Sequence, residues 1–85
     1  MKIGFSSGAW EDYLHWQEKD KDVLKKINEL IRDILRDPDS TGLGKPEHLK
    51  GDLAGYDSRR ITAQHRLVYR VADEQLIIIQ SRFQY

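Results

Sequence analysis

Between Val23 and Leu35 the aliphatic residues Val23, Leu24, Ile27, Leu30, Ile31, Ile34 and Leu35 recur at helical spacing. The residues between them and just beyond, Lys25, Lys26, Asn28, Glu29, Arg32, Asp33 and Arg36, make up the opposite, wet face. A helix with so wide an apolar stripe needs a surface to cover. In a chain of 85 residues, which would bury only about 60 to 65% of its unfolded surface, there is room for one core and no second one. The sequence therefore has to supply a sheet or a further helix as the other layer of a single domain spanning 1–85.

The remaining elements supply both. Asp20 or Asp22 begins the striped helix, and Asp37-Pro38 ends it, since proline lacks an N–H and disfavours helical dihedrals in the residue before it. An earlier helix starts at Ser6 or Ser7, either of which can cap it, and runs to about Lys19, with Trp10, Tyr13, Leu14 and Gln17 as its inward stripe. The connection between the two is so short that they form an antiparallel hairpin. Lys2 to Phe5 reads as a strand. Asp39 to Tyr56 reads as a long polar loop, with one helical turn near His48-Leu49-Lys50. Strands follow at Ser58 to Thr62, Arg66 to Val71 and Gln75 to about Phe83, joined by hairpin-sized gaps and so predicted to form an antiparallel meander. The expected fold class is α+β, an N-terminal strand and helical hairpin packed on a mainly antiparallel sheet.

Strand parity separates Leu67, Tyr69 and Val71 from Arg66, Val68 and Arg70. A buried arginine without a partner is costly, so the helices are expected on the leucine and tyrosine face, leaving the arginine face open. Charge leans the same way. The formal net charge is zero, but residues 1–43 hold seven Lys or Arg against nine Asp or Glu, and residues 44–85 hold seven against five. Zero overall charge argues against indiscriminate polyanion binding, so any basic surface belongs to the second half.

Within that half, Glu47 lies between Lys45 and Lys50, with Arg59, Arg60 and Arg66 following. Metal-free phosphodiester cleavage needs a base for the 2′-hydroxyl, cations on the non-bridging oxygens, an acid for the leaving 5′-oxygen and fixed in-line geometry. Glu47 suits the base, and Arg66 suits the oxygens because its planar fork matches phosphate. Lys50 and Arg60 add charge, and Phe83 and Tyr85 offer stacking surfaces of the kind single-stranded RNA readers use. From the residues alone, the Lys45 to Arg66 cluster reads first as ordinary solvated surface. His15, His48 and His65 are scattered without ligand spacing, and His65 fits a turn residue. There is no P-loop, dinucleotide fingerprint or G-x-S-x-G elbow. Cysteine is absent, which suits a reducing cytosol, and no secretory signal or membrane span is evident, so the expected location is cytoplasmic.

At these residues the chain closely resembles the YoeB toxins of the RelE superfamily, part of bacterial type II toxin–antitoxin systems. The resemblance is carried by Trp10-Glu11-Asp12-Tyr13-Leu14, Lys25-Lys26-Ile27-Asn28-Glu29-Leu30-Ile31, Gly42-Leu43-Gly44-Lys45-Pro46-Glu47, Leu49-Lys50, Ser58-Arg59-Arg60-Ile61-Thr62 and His65-Arg66-Leu67-Val68-Tyr69. It implies a ribosome-dependent endoribonuclease that cuts mRNA in the A site and so inhibits translation. By position it makes Glu47 the general base, Arg66 the phosphate stabiliser, Lys50 and Arg60 supporting cations and Tyr85 a substrate-facing aromatic, with no cofactor. It also implies a cognate antitoxin protein with a disordered segment, ribosome and mRNA as partners, contact with operator DNA only through the antitoxin, and a homodimer.

Three positions differ from the family pattern. Gln84 stands where a histidine acts as general acid, His48 follows the base in place of proline, and Asp57 replaces a tryptophan before the Ser-Arg-Arg run. A carboxamide is no proton donor at neutral pH, so the expectation is attenuated cleavage, with His48 as a substitute acid the lesser possibility. The alternative is a catalytically silent toxin-like protein that binds its antitoxin and acts in operon autorepression.

Overall fold

A computed structural model of the chain describes residues 1–38 and 42–83. Strand β1 (Lys2–Phe5) leads into helix α1 (Ser7–Lys19), and helix α2 (Lys21–Arg36) follows at once. Ser6 caps α1, its hydroxyl accepting from the Ala9 N–H at 3.1 Å. Asp20 alone joins the two helices. Its backbone N–H donates to Trp16 O at the end of α1, while its carboxylate accepts from the Asp22 and Val23 amides at the start of α2. A joint of one residue that caps both ends leaves little freedom in how the hairpin folds back.

The chain then forms a two-residue strand β2 (Glu47–His48), a short 3₁₀ turn at Gly51–Leu53, and strands β3 (Asp57–Arg60), β4 (Arg66–Ala72) and β5 (Gln75–Gln80). All five strands make one sheet in the order β1-β5-β4-β3-β2. The last three are the antiparallel meander expected from sequence, and β1 adds to β5 in parallel, with Lys2 opposite Gln75 and Phe5 opposite Ile78. Residue 45 onward is therefore less irregular than expected. Glu47 and His48 pair with Ser58 and Asp57, and the helical turn comes at Gly51 rather than around His48.

Both helices contribute to one core. Val23, Ile27, Leu30, Ile31 and Ile34 are buried against Leu67 and Tyr69 of β4 and Leu76 and Ile78 of β5. Each such aliphatic side chain contributes about 1.5 to 3 kcal/mol on burial. The inward stripe of α1 is displaced from the expected one. Ala9 and Trp16 are buried with Tyr13 beside them, while Trp10 is 46% exposed, stacked on Tyr13 and edge-on to Phe5. Asp33, expected on the wet face of α2, is buried. Val68 is fully buried although it points away from the helices, so the arginine face is only partly open. No helix among the described residues is long and apolar enough to cross a membrane.

Candidate active site

The site is assembled by sheet register. Glu47 lies opposite Ser58, Ser58 opposite Val68, and Arg60 opposite Arg66. Side chains in register share a face, so Glu47, Ser58, Arg60, Arg66 and Val68 lie on the side away from the helices. There the Arg66 guanidinium donates from Nη1 to Glu47 Oε1 at 2.8 Å and to Ser58 Oγ at 3.1 Å. The Glu47 side chain is 50% exposed and the Arg66 side chain 18%. Residues 19 positions apart, chosen from sequence as base and phosphate binder, are thus in direct contact. Arg60 is exposed across from Arg66. Like charges directly opposite on paired strands repel, so this row favours an anion between or above them. Lys50 is exposed at the cap of the 3₁₀ turn, three residues beyond Glu47.

What brings Glu47 to this place is the approach of the preceding loop. Gly44 sits at φ +79°, and a Cβ there would lie 2.8 Å from Leu30 Cδ2 and 3.0 Å from Arg59 Cβ. Its carbonyl accepts from the Arg60 N–H at 2.6 Å. Only glycine combines that backbone conformation with so close an approach, and the contact delivers Pro46 and Glu47 to the edge of β3.

Arg59, counted from sequence among the cations around Glu47, is on the other face. It is completely buried, with Nη1 paired to Asp33 Oδ2, Nε donating to Tyr69 Oη at 3.0 Å and Nη1 to Leu43 O at 3.2 Å. Asp33 also pairs with Arg36. Burial opposes the Arg59 charge, but the hydrogen bonds and charges of Tyr69 and Asp33 outweigh it and hold the guanidinium pKa above its ordinary value. Burial likewise lifts the Tyr69 phenol, and Arg59 pulls it partly back. The Ser-Arg-Arg run therefore divides by parity: Ser58 and Arg60 belong to the site, and Arg59 belongs to the core.

His48 also points away from the site. Its ring Nδ1 pairs with Asp57 Oδ1 on the opposite side of β2 and β3 from Glu47, and its side chain is 93% exposed. The two residues that depart from the family pattern here thus partner each other. Gln84 and Tyr85 lie outside the described residues. The chain up to Phe83 is anchored beside the site: Phe83 O accepts from the Arg66 backbone N–H at 2.9 Å and from Gln80 Nε2 at 3.0 Å, and Phe83 N–H donates to His65 Nδ1 at 2.8 Å. Phe83 itself is 55% exposed. Ser58 and His65 are the contributors that sequence reasoning did not assign to the site, and the parity argument that places Arg66 would also have placed Ser58.

A family model described as the YoeB-like toxin of bacterial type II toxin–antitoxin systems matches residues 5–85. The chain belongs to the YoeB toxin family. Among its relatives, Toxin YoeB of Streptomyces coelicolor is 60% identical and Toxin YoeB of Escherichia coli K12 is 55% identical, each aligned over all of both chains. Among solved structures, the YoeB/ParE toxin from Agrobacterium tumefaciens superposes with a TM-score of 0.96 at 54% identity, covering all of both chains. The YoeB chain of a YoeB-YefM complex from Staphylococcus aureus superposes at 0.92 with 47% identity, covering all of this chain and 98% of that one. The fold is shared more widely, since YafQ from Escherichia coli reaches a TM-score of 0.80 at 21% identity.

Proposed function

We propose that this YoeB-family toxin is a metal-independent endoribonuclease that cuts mRNA in the ribosomal A site, with Gln84 limiting its rate. The observation that carries the reading is the contact between Glu47 and Arg66 on an accessible sheet face, with Arg60 opposite. The carboxylate takes the proton of a 2′-hydroxyl, whose oxygen attacks the adjacent phosphorus. Arg66, with planar and bidentate donors, holds the non-bridging oxygens as their charge grows. Lys50 and Arg60 supply further positive charge, and Tyr85 packs on a base. The bond to the 5′-oxygen then breaks, and that oxygen needs a proton.

In the family pattern a histidine at position 84 gives that proton, and here the side chain is a carboxamide. Water must then protonate the leaving oxygen. Restoring a donor with Gln84→His is expected to raise cleavage of mRNA on purified ribosomes by about 10²- to 10⁴-fold, the usual worth of general acid catalysis. Equal rates in the two forms would exclude a limiting role for Gln84. Antitoxin binding with no cut products in either form would favour the second reading, a silent toxin that serves operon autorepression.

The solved relatives include a YoeB-YefM complex, a heterotetrameric YoeB-YefM complex and a YoeB dimer, all from Staphylococcus aureus. By that likeness we assign this chain a cognate antitoxin and a homodimeric state. An antitoxin segment that folds across the Glu47 and Arg66 face would neutralise it by occupying the site. Contact with operator DNA would come only through the antitoxin, and action on the ribosome sets the cytoplasm as its place of work.

A further inference from the structure

The face that carries Glu47 continues beyond the site. Asp57 lies opposite Tyr69, so the next cross-strand pair along β3 and β4 is Tyr56 and Arg70, which by parity share the face of Ser58, Arg60 and Arg66. The rows along this face are therefore Arg60 with Arg66, Ser58 with Val68, and Tyr56 with Arg70. The Arg70 guanidinium carbon stands 5.8 Å from the centroid of the Tyr56 ring. Arg70 is exposed and Tyr56 half-buried, and among the described residues Arg70 enters no ion pair with a carboxylate.

We infer that Arg70, oriented by the Tyr56 ring, is a second phosphate site for the RNA strand whose reacting phosphodiester lies at Arg66. Three observations lead there. Four residues of strand separate Arg66 from Arg70, about 13 Å, more than one backbone step of an extended strand, so Arg70 meets a phosphodiester at least two linkages from the reacting one. A guanidinium held over a ring by cation–π attraction, as Arg70 is at 5.8 Å from the Tyr56 centroid, still has its planar fork of N–H donors for a phosphate. Finally, a chain with zero formal net charge cannot hold RNA by its overall field, so cations placed in register along the strand have to do it. The inference rests on the ribonuclease reading and extends its binding track along the sheet.

The test is binding of a single-stranded RNA oligonucleotide to the full chain, followed by fluorescence anisotropy over a range of salt concentrations. Arg70→Ala and Arg70→Gln should each weaken binding about tenfold at low salt and lower the log–log salt slope by about 0.7, the share of one phosphate contact on a single strand. Tyr56→Leu should give a smaller loss, about threefold, that Tyr56→Phe recovers, since the ring and not the hydroxyl orients the cation. Replacing the linkages two and three steps either side of the reacting one with neutral methylphosphonates should reproduce the loss and make Arg70→Ala silent. A further loss in Arg70→Ala on that neutral strand would place the Arg70 contact elsewhere and overturn the inference. Arg66→Ala separates the two levels of the argument. Weaker binding by Arg66→Ala with no change in Arg70→Ala overturns only this inference, whereas unchanged binding in both overturns the reading of the site itself.

Discussion

Arg59 and Arg66 stand seven residues apart, and each meets one carboxylate and one hydroxyl, yet the two arrangements do opposite things. Arg59 with Asp33 and the Tyr69 phenol is sealed between α2 and the sheet, while Arg66 with Glu47 and the Ser58 hydroxyl sits on a face that solvent reaches. The same chemical groups lock a fold when dry and remain exchangeable when half-wet. In the dry case each charge stays because its partner does. In the wet case the carboxylate can release its cation to a phosphate at low cost, since an exposed ion pair is worth only about 0.2 to 1 kcal/mol.

The comparison is broken most severely at Arg59. Arg59→Ala takes from the buried Asp33 the guanidinium it pairs with inside the core, and removing one partner of a buried pair costs about 3 to 5 kcal/mol. Against a total stability of about 5 to 15 kcal/mol this should appear as a large fall in the urea midpoint. A variant as stable as the parent would mean that the dry arrangement carries no structural weight.

Arg66→Ala should behave in the reverse way. We expect cleavage to fall by about 10²- to 10³-fold, as when a donor to developing oxyanion charge is lost. Stability should drop by less than about 1 kcal/mol. Ribosome-dependent cleavage and urea unfolding on the same preparation check both halves, and a large stability loss with an intact rate would reverse the assignment of the two arginines.

The smallest effect sharpens the dry arrangement. Tyr69→Phe removes the hydroxyl that accepts from Arg59 Nε and should cost about 1 to 2 kcal/mol. Because burial raises the Tyr69 pKa, the folded chain keeps a proton that the unfolded chain releases first. The Tyr69 contribution is therefore complete below the ordinary tyrosine value of about 10 and declines as pH rises from there toward the folded value. Tyr69→Phe should remove that part of the alkaline decline, read from urea midpoints taken either side of pH 10.

How much of this was legible follows from which physical signals are local. The stripe of α2, the proline stop and the meander are written in neighbouring residues, and all three appear in the structure. Parity placed Arg66 correctly because alternation is a property of one strand. Arg59 lies on a strand that begins one residue earlier than its sequence predicts, at Asp57, and it is the register with β4 that turns it inward. The burial of Asp33 was hidden because an aspartate flanked by Arg32 on a helix looks solvated until a partner arrives from a strand 26 residues away. For the same reason β2 read as loop: two residues make a strand only through the hairpin they complete with Ser58 and Asp57. The buried stripe of α1 is offset by one position from the predicted one, since it runs through the small Ala9 and not the large Trp10, and size is a poor guide to which face a sheet will cover.

The parallel pairing of β1 with β5 has a consequence in time. Lys2 finds its neighbour only at Gln75, and Ser6 donates its hydroxyl to the Ile79 carbonyl, so the first strand of the sheet waits for the fifth. β5 is also the strand that flanks β4, on which Arg66 stands. Contacts so distant along the chain are slow to close, and they cannot begin before residues 75–80 have been synthesised. The sheet that carries Glu47 and Arg66 is thus completed only once residues 75–80 are available to pair with β1.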